Sequence, residues 1–413
     1  MAGTGLNGQR YRRSQELLER ARRVIPGGIH LDGGKPLIDG PSPLYFERAR
    51  GAYVWDVDGN EYVDFIMAYG PPILGHARPE VDAAGIAQLA RGALLSLNHP
   101  LHVAFVERVL QRFVSAEMGA FFKAGSEATT AAIRIARRAT GRRKVARCGY
   151  HGWHDWCLPE ADFVPRGLDE QVAFYDAREP ATLRALLAQH PDEFAAVILA
   201  PEMLRAPDRA TVQAIAAAAR EHGALFVFDE VKTGLRAPEG SMQAFYDLQP
   251  DLTTLSKALG NGWPIAAVIG TREAMRHGEG LPLSATYHAD TAAMAAAMET
   301  LRVIDRDDAP AYLEQIGRRF VDGLNAAARR NRFPASAYGE PIAAMPFLAF
   351  EGGGEPEIGA LKQRFYADVL SGGVLVHPNH LWYVSTAHTE ADVDRALAVF
   401  DAAMARCTAS FAV

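Results

Sequence analysis

A chain of 413 residues with 49% apolar content can bury a large core, and it reads as an enzyme-sized protein of two closely joined domains. Its 43 basic and 49 acidic residues give a net charge of −6 with no long like-charge block, which argues against nucleic acid or a membrane surface and leaves small molecules as partners. No run reaches the roughly 18 apolar residues of a spanning helix, and residues 1–10 lack a secretory signal's apolar core, so a cytoplasmic protein is expected.

Residues 14–25 read as a short amphipathic helix with Ser14 as N-cap, Leu17, Leu18, Ala21 and Val24 on one face, and Pro26-Gly27-Gly28 as its stop. Residues 51–65 alternate apolar and polar side chains around Asp58-Gly59-Asn60, which predicts a hairpin. From about 100 to 300, helical periods alternate with apolar runs at 195–199, 225–228 and 265–269. That alternation predicts an α/β fold with a mostly parallel sheet covered by helices on both faces, and ligands at the carboxyl ends of its strands. Further on, Leu313, Ile316, Phe320 and Leu324 recur at helical spacing, and Thr389-x-x-Asp392 forms a capping box before Val393, Leu397 and Phe400. The expected division is an N-terminal segment 1–50 packing with a small α+β domain 306–413, and a large domain 51–305. Cys148, Cys157 and Cys407 have no paired C-x-x-C spacing and read as free thiols of a reducing compartment.

The chemistry centres on Lys257, 28 residues after Asp229, which closes the apolar run Leu225–Phe228. A carboxylate at the end of such a strand is costly unless a cation or hydrogen-bond donors meet it. A lysine in an apolar turn followed by Gly260-Asn261-Gly262 can offer an uncharged amine in a partly desolvated site. Together the two suit pyridoxal phosphate (PLP): the amine binds the aldehyde and the acid keeps the ring nitrogen protonated. Val231 is placed to pack on a ring face, and Tyr150 to stack on it. The Gly125-Ser126 turn opens a helix that stops at Gly141 and offers backbone N–H groups to a phosphate; no Walker lysine or G-x-G-x-x-G accompanies it. An ordinary ion pair for Asp229, or a metal held by His151, His154 and Asp155, are the other readings, and the second lacks an H-E-x-x-H or a further Cys/His set.

These motifs stand in the order found in a known family. The chain resembles the class III PLP-dependent aminotransferases of fold type I, in the branch of glutamate-1-semialdehyde aminomutase and D-phenylglycine aminotransferase. The resemblance is carried by residues 49–65, Gly70-Pro-Pro-Ile-Leu-Gly-His76, Gly125-Ser126-Glu127-Ala128, Tyr150-His151-Gly152, Phe228-Asp-Glu-Val-Lys-Thr-Gly-Leu-Arg236, residues 250–257 and Ser385-Thr-Ala-His388. It implies a large PLP domain with a smaller α+β C-terminal domain, and a homodimer with its sites at the subunit interface. It also implies PLP on Lys257, which shuttles the substrate proton, with Asp229 at the ring nitrogen. The implied cofactor set is Gly125, Ser126, Glu127, Tyr150, His151, Asp229, Val231, Lys257 and Thr286, with Thr286 reaching the phosphate across the interface. The implied substrates are a small amino donor and a keto acceptor, and no metal is implied.

Departures cluster away from that set. The mutase-branch arginine after the first helix is replaced by Ile29-His-Leu-Asp-Gly-Gly34, the segment 376–382 is shortened and lacks a glutamate, and the stretch from Asp155 to Ala195 is short. The expected reaction is therefore ping-pong transamination of an amino acid or amine, with an intramolecular aminomutase or racemase as the alternative. A pocket for an aromatic or bulky group is expected from residues 98–100, Trp153, His154, Tyr69, Tyr287, His288 and Trp382. Lys35, Arg205, Lys232, Arg236 and His380 are the candidates for a substrate carboxylate.

Overall fold

The computed structural model describes residues 10–30, 36–38, 42–43, 45–113, 115–158, 163–168, 170–201, 206–352 and 354–411, with backbone only at 355, 356, 410 and 411. The chain forms two compact units, Met1–Arg78 with Tyr312–Val413, and Pro79–Ala311.

The first unit opens with helix α1 (Arg12–Ala21) and strands β1 (Phe46–Arg50), β2 (Tyr53–Asp56) and β3 (Glu61–Asp64). The helix starts before the expected cap because the cap comes from far along the chain. Asp58 accepts from the amides of Arg13 (2.7 Å) and Ser14 (3.0 Å), and Ser14 itself lies buried inside the helix. Asp58 sits in the β2–β3 turn, where Asp56 Oδ1 accepts from the amides of Asp58 (3.0 Å) and Asn60 (2.8 Å) and Gly59 takes φ +87°. The hairpin is thus the predicted one, built on an Asx-type turn.

The second unit carries the sheet. Helices α2 (Pro79–Leu89) and α3 (Pro100–Leu110) precede β4 (Met118–Phe122), α4 (Gly125–Thr140), β5 (Lys144–Cys148), β6 (Val172–Phe174) and α5 (Pro180–Gln189). Then come β7 (Phe194–Leu199), α6 (Arg209–Glu221), β8 (Leu225–Asp229), β9 (Leu252–Leu255), β10 (Ala266–Gly270) and α7 (Thr291–Arg306). The seven strands lie in the order β4-β10-β9-β8-β7-β5-β6, and β10 alone runs against its neighbours. Strands β7 and β8 are buried on both faces, which is why they read as unbroken apolar runs. Because β4, β5, β8 and β9 share one direction, the loops after Phe122, Cys148, Asp229 and Leu255 all leave the same edge of the sheet. In open α/β sheets that edge is where ligands bind.

The first unit is completed by α8 (Ala309–Asn331), β11 (Ala335–Tyr338), β12 (Phe347–Phe350), α9 (Glu355–Ser371), β13 (Val374–Leu375) and α10 (Glu390–Phe411). Leu313, Ile316, Phe320 and Leu324 are buried along α8, and Thr389 and Asp392 exchange the predicted capping bonds. Two bounds differ from the expected division: residues 51–78 fall with the C-terminal part, and the other split comes after Ala311 rather than after 305. The reason for the first is pairing at long range, since β13 joins β3 in parallel, and the Phe65 ring stacks on Phe320 (4.4 Å) and on His388 (4.6 Å). Among the described residues, no helix is long and apolar enough to cross a membrane.

Candidate active site

Asp229 ends β8 with only 3% of its surface exposed. Its Oδ2 lies 2.7 Å from His151 Nδ1, and its Oδ1 accepts from Thr254 Oγ1 (2.7 Å) and from the Val231 amide (3.1 Å). A carboxylate only accepts, so the imidazole donates through Nδ1; its Nε2 is buried with no protein partner. The His151 ring is parallel to Trp156 (6.1 Å, 13°). No lysine or arginine among the described residues pairs with Asp229. A buried carboxylate met only by uncharged donors and one imidazole has room, electrostatically, for a cation. A protonated pyridine nitrogen is such a group.

Lys257 enters from the neighbouring strand. Asp229 is opposite Thr254 in the parallel β8–β9 pair, and Lys257 follows Thr254 by three residues, opening a single 3-10 turn at 257–260. Its backbone is left-handed (φ +47°), a conformation that costs of the order of 1–3 kcal/mol in a non-glycine residue. Ser256 helps hold it, donating through Oγ to Ile265 O (3.0 Å). The strain therefore sits at the one lysine the sequence singles out.

The third part is the start of α4. The amides of Gly125 and Ser126 have no acceptor among the described residues, so two N–H groups at a helix N-terminus stand ready for an anion. A Cβ on Gly125 would come within 2.8 Å of Val231 Cγ1, and one on Gly152, at φ +115°, would overlap Ser126 Oγ. Glycine at both positions lets the 149–153 loop, the 230–232 turn and the helix start close on one another. Trp153 N donates to Ser126 Oγ (3.3 Å), and Thr129 Oγ1 to His151 O (2.7 Å).

The structure thus gathers Gly125, Ser126, His151, Asp229 and Val231, and its strand register sets Lys257 beside them. Glu127 is turned to its own helix start, where Oε2 accepts from the amides of Lys123 (2.8 Å) and Ala124 (3.0 Å). These bonds outweigh burial and hold its carboxyl below the usual range. Tyr150 is 56% exposed, with the Lys232 ammonium 5.4 Å over its ring. Thr286 is exposed on the turn 286–289, whose His288 Nε2 stands 3.4 Å from Glu127 Oε2.

Two residues were missed by sequence reasoning. Thr254 and Trp156 bind or back the His151–Asp229 pair, and only strand parity hinted at the first. His154 turns to Thr130 Oγ1 (2.7 Å), away from His151, and no group of three His, Cys, Asp or Glu side chains among the described residues could hold a metal ion. Burial pushes the Cys157 thiol beneath this site up to about 12, which leaves it an inert packing group. Trp382 does not line a pocket, because it is fully buried against Phe400 (5.4 Å). Of the candidates for a substrate carboxylate, Lys35 and Arg205 lie outside the described residues.

The residues fit PLP: an anion seat at a helix start, a buried acid with no Lys or Arg partner among the described residues, and a lysine in the adjoining strand–turn. The sequence model of the aminotransferase class-III family matches residues 38–380. The 3-aminobutyryl-CoA aminotransferase of Cloacimonas acidaminovorans is 32% identical, over 92% of this chain and 94% of the relative. The glutamate-1-semialdehyde 2,1-aminomutase of Chloroflexus aurantiacus (strain J-10-fl) is 34% identical over 97% of this chain and 98% of its own. Among solved structures, the FumI protein of Sphingopyxis sp. MTA144, in its PLP internal aldimine form, superposes with a TM-score of 0.91 at 30% identity, covering 97% of this chain and 98% of that one. The chain therefore belongs to the class III aminotransferases, PLP-dependent transferases of fold type I.

Proposed function

We propose that Lys257 is the PLP-binding and proton-moving residue of a transaminase acting on amino acids and amines. The observation that carries this is the buried Asp229, held by His151, Thr254 and Val231, one strand register from the turn that bears Lys257. Bound PLP supplies an aldehyde for the substrate amine and a ring that withdraws electrons from the adjoining carbon. Asp229 keeps the ring nitrogen protonated, and His151 and Thr254 keep Asp229 in place. Lys257 Nζ takes the proton from the substrate carbon that bears nitrogen, as a general base positioned by the turn 257–260. The Gly125 and Ser126 amides hold the phosphate, Val231 and Tyr150 flank the ring, and Glu127 fixes the helix start. Turnover is ping-pong, with a keto acid as second substrate. The identity with an aminomutase supports an intramolecular alternative, but this chain lacks the arginine and glutamate expected of that branch.

The test is a single-turnover screen of reconstituted protein with α-, β- and ω-amino donors. Stoichiometric keto product with conversion of the cofactor to its amine form is expected. Rearranged or inverted amino acid without keto product would overturn transamination.

We also propose that the chain pairs with a second copy. Leu94, Leu95, Leu97 (84% exposed), Val103 and Tyr287 form an exposed apolar surface around Thr286. It is one surface because Thr291 N donates to Ala93 O (2.9 Å) and His102 Nε2 bonds Ala289 O (3.2 Å). By sedimentation, Leu97→Asp is expected to shift a dimer towards monomer and to loosen PLP, while Thr286→Ala stays dimeric and releases PLP more easily. A wild-type monomer at micromolar concentration would contradict the pairing. The three cysteines, all buried free thiols, support a reducing cytoplasmic setting.

A further inference from the structure

We infer that Trp263 is a positioning residue for Lys257: its indole, seated on Gly85 and bonded to Asp82, holds in place the strained turn that presents the amine. This rests on the role given to Lys257 above and adds the part of the fold that supports it. Every residue involved lies within the unit 79–311.

The turn that carries Lys257 is strained at both ends. Lys257 (φ +47°), Asn261 (φ +46°) and Gly262 (φ +105°) are all left-handed, and two of them carry side chains that disfavour this. The backbone bonds within the turn are local: Leu259 N donates to Ser256 O (3.0 Å), Asn261 N to Ala258 O (3.3 Å) and Trp263 N to Gly260 O (2.9 Å). A conformation of this kind persists where the surrounding structure over-determines it. Bonds at residues 263 and 264 supply that support from distant elements. Lys123 Nζ donates to Pro264 O (3.0 Å), which ties the turn to the loop before the Gly125–Ser126 helix start. Trp263 Nε1 donates to Asp82 Oδ1 (3.0 Å), which ties it to α2.

The indole fits α2 by shape as well as through its N–H. A Cβ on Gly85 would come within 2.6 Å of Trp263 Cζ2 and 2.7 Å of Cη2, so the six-membered ring fills the space that this glycine leaves. Glycine is a poor residue inside a helix, and here, buried in α2, it makes the notch. The helix is itself fixed, for Gln88 Nε2 donates to Thr291 Oγ1 (3.1 Å) at the start of α7, and both side chains are buried. Across the base of the turn Ser256 Oγ bonds Ile265 O, and a Cβ on Gly260 would meet Ile265 Cγ2 at 2.8 Å. A shift at residue 263 therefore finds little slack before it reaches residue 257. A base misplaced by about 1 Å loses on the order of 10²-fold in rate, which is the scale on which such a shift acts.

The test compares wild type with Trp263→Leu, with Asp82→Ala, which removes only the acceptor, and with Asp82→Asn, whose amide oxygen still accepts from the indole. Hydrogen exchange of the full-length chain, with and without PLP, gives a readout independent of turnover. Exchange over 256–264 is expected to quicken at least about 10-fold in Trp263→Leu and Asp82→Ala, with α6 unchanged and Asp82→Asn like wild type. With 1-phenylethylamine as the probe amine, the maximal half-reaction rate should fall roughly 10- to 100-fold in Trp263→Leu and less in Asp82→Ala. The amine concentration for half-maximal rate should move less than about 3-fold. Gly85→Ala is expected to lower the melting temperature of the wild-type chain, where the methyl strikes the ring, and to raise that of Trp263→Leu, where it does not. Unchanged exchange over 256–264, exchange that quickens equally in α6, or a wild-type maximal rate in Trp263→Leu would overturn the inference and make Trp263 a packing residue. No reaction of wild type with the amine, or turnover in Lys257→Ala, would tell against the reading of Lys257 instead, and exchange and melting would still decide whether Trp263 holds the turn.

Discussion

Replacing Lys257 with alanine is expected to abolish the half-reaction with every donor, a loss of at least about 10⁴-fold, while the protein stays folded and holds PLP weakly. The loss is large because one amine both binds the cofactor and moves the proton, and no second lysine among the described residues follows Asp229 in the adjoining strand. Folding should survive, since the variant keeps the turn bonds of Ser256 and Leu259. Residual PLP should be held by the Gly125–Ser126 helix start and by Asp229. Absorbance spectra after desalting, with stopped-flow mixing against an amine, check both halves. Measurable turnover in Lys257→Ala would refute the assignment.

The second large effect is expected at Asp229. Asparagine has the same shape, and its one amide oxygen still accepts from Thr254 and the Val231 amide while its NH2 donates to His151 in the other tautomer, but it cannot stabilise a positive ring nitrogen. A fall of about 10²- to 10³-fold in the half-reaction is expected, the size seen when one preorganised charge-stabilising group is lost. Stability should move the other way. A buried carboxylate that no lysine or arginine among the described residues meets costs free energy in the cofactor-free protein, so apo Asp229→Asn should melt at the same temperature as wild type or higher. Thermal melts of both apo proteins and single-turnover rates of both holo proteins separate the two effects. A rate equal to wild type, or a melting temperature several degrees lower, would show Asp229 to be a structural acid.

What could be read ahead of the structure follows from how local each feature is. The hairpin at Asp58-Gly59-Asn60 is specified by a turn whose donors and acceptor lie within four residues. Strands β7, β8 and β10 are buried apolar runs and were visible as such. By contrast β5 carries Lys144 and Arg147, and β6 has three residues, so neither stands out from its surroundings. The start of α1 was misplaced because its cap, Asp58, is 44 residues away from Ser14. The same limit moved the unit boundary, since β3 finds its partner β13 more than 300 residues later. At the site, Lys257 and Asp229 were legible because their chemistry is unusual for their local setting. The imidazole on Asp229 was not, for it comes from 78 residues earlier. Trp382 shows the reverse error: an aromatic near polar residues looked like a pocket wall, and three-dimensional packing made it core.

The most direct measurement is to reduce the PLP-loaded protein with borohydride, digest it and locate the pyridoxyl group by peptide mass mapping. The account predicts a single modified peptide, with the group on Nζ of Lys257. A group on any other lysine, or no adduct from a protein that has taken up the cofactor, would contradict it.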